Sequence, residues 1–261
     1  MTARSLADLR SAEAAPKAGG TQTTAAELRL RDLILSGALA PGMRISEPSL
    51  AERFNISRTP IRTAMARLED EGLLELIPSG GYAVKAFTEN EIRDAIEVRG
   101  TLEGLSVRLA AERGVSPGDI AAMRDCLLEI DQVLGGLDKG VDSLSGYVEL
   151  NRQFHRMLMH LPGSAILARQ TERASSLPFA SPNGFLLAQA SDAAAWRTLT
   201  VAQDQHWMVL AAIEGREGAR AESIMREHAR IALRNMQAVL HNQQVLDQVP
   251  GARLIRTPVR R

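Results

Sequence analysis

The sequence predicts a mainly α-helical protein in two parts: an N-terminal winged helix-turn-helix and a C-terminal antiparallel all-α helical bundle. Three observations lead there. Aromatic residues make up only 3% of the chain and alternating β-branched runs are nearly absent, which argues against a sandwich or barrel. Residues 24–87 carry three short helical patterns and then two short strand patterns around a Pro78-Ser79-Gly80-Gly81 turn. From Thr88 to about Val245 apolar residues recur at helical spacing almost throughout. A length of 261 residues suits about two domains.

Composition narrows the function classes. Hydrophobic residues are 45% and charged residues 24%, ordinary for a globular chain. Lysine plus arginine and aspartate plus glutamate are 31 each, so nucleic-acid binding would have to rest on local patches. The single cysteine, Cys126, excludes an internal disulfide and a cysteine-cluster zinc site. No stretch has the apolar length of a membrane span and the N-terminus has no apolar signal core, so a cytoplasmic protein is expected. Neither a GxGxxG following a strand nor a GxxxxGK[ST] is present, which speaks against nucleotide-binding enzymes of those two kinds.

The elements follow in order. Residues 1–23, rich in Ala, Ser, Thr and Gly, read as a flexible tail. A first helix over 24–36 places Ala26, Leu30, Leu33 and Ile34 on one face, and Gly37 ends it. Ser46 caps a short helix that buries Leu50 and Phe54, and Ser57 caps a third, with Pro60 tolerated in its first turn. On the third helix Ile61, Ala64, Met65 and Leu68 form the apolar arc, while Thr59, Arg62, Thr63 and Ala66 point away and Arg58 flanks its N-terminal end. Arginines and small polar residues on the N-terminal half of a helix suit docking into a major groove. Isolated arginines are more often a solvated face; the order of short helix, capped helix and hairpin favours DNA. Leu73–Ile77 and Tyr82–Phe87 read as the strands of the wing.

In the second part, a helix over 89–113 carries Arg99 and Glu103 in the middle of its apolar stripe. They can pair as an i,i+4 salt bridge, but an inward arginine is also a natural anchor for a carboxylate ligand. His206 and His228 lie at the centres of two other apolar stripes, and His155 at the edge of a third, one turn after Asn151. One such histidine is usually a core residue; three on separate helices suggest convergence on a divalent metal. His160 and His241 read as surface residues, and Cys126 as a small buried hydrophobe. After Pro250 the arginines at 253, 256, 260 and 261 read as a basic tail over 246–261.

The runs GALAPGMRISE from Gly37 and LAERFNISRTPIRTAMARLEDEGL from Leu50, with the wing from Pro78 to Val84, resemble the DNA-binding domain of GntR-family repressors. The resemblance implies DNA contact through Arg44, Arg58 and Arg62, support from Ser57 and Thr59, and Gly81 at the wing; Pro48 stands where some relatives place a DNA-contacting arginine. EVRGTLE from Glu97, LAAER from Leu109, NRQFH from Asn151, Gln205-His206 and MREH from Met225 resemble the FCD effector-binding domain of the FadR subfamily, in its shorter, six-helix VanR-like branch. That resemblance implies a divalent metal, zinc first with nickel or manganese as alternatives, on Asn151, His155, His206 and His228. It also implies a small organic-acid effector at Arg99 and Glu103. Asn151 offers a neutral carbonyl oxygen where the family's usual ligand is aspartate. The domains expected are 24–87 for DNA and 88–245 for effector binding and dimerisation. The function expected is a homodimeric, effector-controlled regulator, a repressor, bound to double-stranded operator DNA, with no membrane association and no enzymatic activity. The rival reading is a metal-dependent enzyme with an accessory winged helix, its histidines leaving a coordination position open for water.

Overall fold

The computed structural model describes residues 22–78, 80–136, 141–177, 179–186 and 193–256. They form two compact units, one of residues 22–92 together with 246–256, the other of 93–245.

In the first unit α1 (Gln22–Leu35) buries Ala26, Leu30 and Ile34, one residue per turn. Gly37 follows in the left-handed region, φ 76°, where the chain reverses. Strand β1 (Arg44–Ile45) leads to α2 (Glu47–Phe54), whose first turn is capped by the Ser46 hydroxyl accepting from the Ser49 amide. Asn55 closes α2 in the left-handed conformation, φ 54°. Helix α3 (Arg58–Asp70) buries Ile61, Ala64, Met65 and Leu68, the arc read from spacing. Strands β2 (Leu74–Leu76) and β3 (Tyr82–Val84) complete an antiparallel sheet of order β1-β3-β2, with Arg44 opposite Ala83 and Leu76 opposite Tyr82. Two residues of β1 are too few for any alternation to show in sequence.

The C-terminal stretch departs from the expected basic tail. After α10 (Gln243–Leu246), a 3-10 turn (Ala252–Leu254) and Ile255 join the winged-helix unit. Phe87 and Ile255 form a parallel bridge: the Phe87 amide donates to the Leu254 carbonyl at 2.7 Å and the Arg256 amide to the Phe87 carbonyl at 2.7 Å. The Gly251 amide donates to the carbonyl of Leu35, the last residue of α1, at 3.0 Å. Leu246, Val249, Leu254 and Ile255 are buried, and their burial, not the arginine charge, decides where the segment lies. Residues 257–261 of the expected basic tail, and 1–21 of the expected N-terminal tail, lie outside the described residues.

The second unit holds α4 (Glu89–Arg113, whose first turn belongs to the first unit), α5 (Pro117–Gly135), α6 (Val141–His160), α7 (Ala165–Ser176), α8 (Ala193–Glu214) and α9 (Gly218–Leu240). Its core gathers Val107 and Ala110 of α4, Met123, Leu127 and Ile130 of α5, Phe154 and Leu158 of α6, Val209 and Leu210 of α8 and Met225 of α9. Cys126 is buried among them. Helices α4 and α9 run antiparallel along a seam of small residues. A Cβ on Gly100 would come within 2.5 Å of the Ala229 Cβ, and one on Gly104 within 2.8 Å of Arg226 Cγ. The same seam carries the ion pairs Arg108–Glu222 at 2.9 Å and Arg230–Glu97 at 3.5 Å. It brings the turn of α4 bearing Arg99 and Glu103 against the turn of α9 bearing His228.

Candidate functional site

The surface expected to read DNA is present as a set of exposed side chains. Arg44 on β1, and Ser57, Arg58, Thr59 and Arg62 at the start of α3, are all exposed. Ser57 occupies the N-cap position with extended backbone, but its hydroxyl makes no cap hydrogen bond, contrary to the expected capping role. The Thr59 carbonyl accepts from the Thr63 hydroxyl at 3.1 Å. Gly80 and Gly81 sit in the left-handed region, φ 86° and 91°, and a Cβ on Gly81 would come within 3.4 Å of the Ile45 carbonyl oxygen. The wing tip thus needs glycine for backbone reasons.

Arg62 is not free. Its Nε and Nη2 fork onto the two carboxylate oxygens of Glu47 at 2.8 and 2.9 Å. That hydrogen-bonded fork holds the Glu47 carboxyl below its usual range. An acid in the first turn of α2 reads in sequence as a helix-dipole residue; its pairing with a helix fifteen residues on leaves no periodic trace.

The second constellation is buried. Arg99 and Glu103 are each 1% exposed, and Arg99 Nη1 donates to Glu103 Oε2 at 2.6 Å. The other oxygen, Glu103 Oε1, lies 2.9 Å from His155 Nδ1. Burial alone would raise the Glu103 pKa, but the Arg99 charge and the pairing with His155 outweigh it and hold the carboxyl down to about 2. Glu103, expected to face an effector, is thus engaged on both oxygens, and Arg99 keeps a buried Nε with no hydrogen-bond partner among the described residues.

The three histidines do converge. His206 Nε2 lies 3.1 Å from His228 Nε2, which lies 3.3 Å from His155 Nε2. The second ring nitrogens fix the tautomers. Gln203 donates from Nε2 to the Leu127 carbonyl and to Asp131 Oδ1, both acceptors, so its Oε1 must face His206 Nδ1 as an acceptor at 3.0 Å. Gln205 Oε1 faces His228 Nδ1 at 3.2 Å, and the Glu103 carboxylate faces His155 Nδ1. A neutral imidazole that donates from Nδ1 keeps a bare lone pair on Nε2. Burial, and then the neighbouring rings, push His206 and His228 well below the ordinary histidine range. The bare Nε2 atoms of His206 and His228 therefore face each other, with His155 Nε2 directed at the same point, an arrangement that a cation between them would satisfy.

The residues fit such a cation. A tetrahedral zinc shell with Zn–N of about 2.0–2.1 Å separates its nitrogens by about 3.3–3.4 Å, close to the two spacings about His228, and the ligand atoms of all three histidines lie within 4.8 Å of one another. The Asn151 Oδ1 atom is buried and has no hydrogen-bond partner among the described residues. Asn151 also borders a cavity of about 20 Å³ with Arg99, Tyr147, His228 and Asn235. The acceptors on Nδ1 are the outer partners a metal-bound imidazole needs. Sequence reasoning missed Gln203, Gln205, Tyr147 and Asn235. Gln203 was findable, because it stands three residues before His206 on the same helix face. His160 and His241 are exposed, as read.

Among the described residues no helix is long and apolar enough to cross a membrane. Over residues 22–84 the chain matches the family of bacterial regulatory proteins named gntR, and over 94–230 it matches the FCD domain. It is 28% identical over 212 residues to the Nta operon transcriptional regulator of Aminobacter aminovorans, covering 81% of this chain and 89% of that protein. It is 26% identical over 201 residues to the transcriptional repressor GlaR of Escherichia coli, covering 76% and 88%. Among solved structures, E. coli McbR/YncC superposes with a TM-score of 0.56 at 25% identity, over 85% of this chain and 98% of that one. The relatives are named as regulators of transcription, which favours that reading over a metal-dependent enzyme.

Proposed function

The chain belongs to the gntR family of bacterial regulatory proteins, carries an FCD domain and is a DNA-binding regulator of transcription; on that premise we propose that it is a homodimeric, metal-containing repressor controlled by a small organic acid. The observation that carries this reading is the buried meeting of three imidazole Nε2 atoms beside two polar atoms without a partner among the described residues, Asn151 Oδ1 and Arg99 Nε. His155, His206, His228 and Asn151 would hold the ion, with zinc favoured by the imidazoles and nickel or manganese as alternatives. Four protein ligands do not fill a five- or six-coordinate shell, so a bound divalent ion would keep a Lewis-acidic position for a carboxylate oxygen. Arg99 would hold the same carboxylate by a charge-assisted hydrogen bond.

The cavity of about 20 Å³ has room for about one water. An organic acid therefore enters only by displacing cavity walls that belong to α4, α6, α8 and α9 and to the loop that carries Pro182 and Leu186. That displacement is what would make the two states of the effector domain differ. On DNA, Arg58 and Arg62 would read or clamp the major groove from α3, Ser57 and Thr59 would support them, and Arg44 and Gly81 would approach the backbone. One short helix reads only a few base pairs, so two copies on a pseudo-palindrome supply useful specificity. The name of the GlaR relative supports repression.

The test is operator release. A duplex selected from a random pool is labelled and its binding followed by anisotropy, with the metal-loaded protein and a panel of small organic acids. At least one acid should weaken binding by tenfold or more. Arg99→Ala should bind the operator but ignore that acid. If no acid changes operator affinity, or Arg99→Ala responds like the wild type, the effector reading is wrong.

A further inference from the structure

Asn151 is the odd member of the cluster. An amide has one oxygen and one NH2 group, and only the oxygen can face a cation. Something must therefore choose the flip of its amide. A chain of hydrogen bonds does so, and it starts from a group whose role is unambiguous. The Val148 carbonyl is an acceptor only, and Asn183 donates to it from Nδ2 at 2.9 Å. Asn183 Oδ1 is thereby turned the other way, where it accepts from Asn151 Nδ2 at 2.8 Å. Asn151 Oδ1 is then turned away from Asn183; it is the buried oxygen that has no partner, on the residue that borders the cavity shared with His228 and Arg99.

We propose that Asn183 is a positioning residue of the metal centre, clipped across one turn of α6 so that the Asn151 amide presents its oxygen, and not its NH2 group, to the cation. This rests on the metal reading above. Asn183 is suited to the task because its own loop is anchored. Its amide donates to the Ser181 hydroxyl at 3.3 Å, the Leu186 amide donates to its carbonyl at 3.1 Å, and the buried rings of Phe179 and Phe185 stack with centroids 5.8 Å apart. A carboxylate at position 151 would not need this device, since either of its oxygens can face the ion. The neutral ligand and its orienting loop thus form one unit: the loop supplies the orientation that aspartate has by symmetry.

That symmetry gives the experiment. Full-length protein, stripped of metal, is titrated with cobalt(II) and followed by its visible absorption and by competition with a chromophoric chelator. Four proteins are compared: wild type, Asn183→Ala, Asn151→Asp and the double variant. Asn183→Ala should weaken cobalt binding about tenfold or more when Asn151 is present. In the Asn151→Asp background the same change should cost less than about threefold. An equal loss in both backgrounds would mean that Asn183 only supports the loop, and no loss in either would mean that it does not orient the amide; each overturns the proposal while leaving the metal reading intact. If neither wild type nor Asn151→Asp binds cobalt, the metal reading fails and takes the proposal with it. Asn183→Leu, close in shape but without either hydrogen bond, repeats the comparison should the alanine variant not fold.

Discussion

The guanidinium of Arg62, on the helix proposed to read DNA, is forked onto Glu47. The pair is exposed, so it adds little to stability, and a phosphate or guanine edge can compete for the same donors. Glu47 therefore acts as a stand-in anion that keeps Arg62 ordered and withholds it from weak encounters. We predict that Glu47→Gln raises affinity for random duplex several-fold and steepens the salt dependence by about one counterion. Arg62→Ala should weaken operator binding at least about fivefold if it makes a base contact. Electrophoretic titration at three salt concentrations measures both effects, and unchanged salt slopes in the two variants would remove Arg62 from the interface. At this scale the sequence was legible where chemistry coincided with periodicity. Arg99, Glu103 and the three histidines announced themselves as polar residues on apolar stripes. Glu47 and Asn183 did not, because Glu47 pairs across a turn with another helix and Asn183 itself lies in a loop, where spacing carries no information.

At the scale of elements, helical spacing located the helices that carry Arg99, His155, His206 and His228, since each presents an apolar face to a shared core, whereas α7 (Ala165–Ser176) went unread and contributes nothing to that core among the described residues. Spacing did not explain why α4 carries Gly100 and Gly104 in mid-helix, where glycine costs up to about 1 kcal/mol against alanine. The reason lies on α9. Ala229 meets the Gly100 position so closely that even one methyl group forces the helices apart. Gly100→Ala should therefore destabilise the protein by about 1–3 kcal/mol, and it should also weaken metal binding, because His228 and Glu103 are carried on the two separated helices. Gly135 has nothing within 4 Å of its Cβ position among the described residues, so Gly135→Ala should be neutral or stabilising by up to about 1 kcal/mol. Denaturant titrations of the two variants give the comparison; equal effects would show that the seam is not tight. Strand β1 escaped sequence reading for the opposite reason, being two residues held in place by pairing with β3.

At the scale of the whole molecule, the described residues cross between the two units twice, once near Ile92 and again near Val245. The second crossing was hidden in the sequence because the arginines after Pro250 outweigh four scattered apolar residues in any reading of composition. Leu254 is fully buried in the winged-helix unit, so Leu254→Ala should cost about 2–5 kcal/mol there. Calorimetric melting should show that loss in the transition of the DNA-binding unit, with metal binding by the histidines retained; a variant that melts like the wild type would show that the segment contributes no stability. What joins residue, helix and molecule is the claim that the converging imidazoles form a metal centre at the heart of the effector domain. The measurement that tests it most directly is calorimetric titration of zinc into protein purified without chelator or nickel column and then stripped. The account predicts one ion per chain bound at micromolar concentration or tighter, with binding abolished in His206→Ala and His228→Ala. Wild-type protein that takes up no zinc, nickel or manganese at micromolar concentration would contradict it.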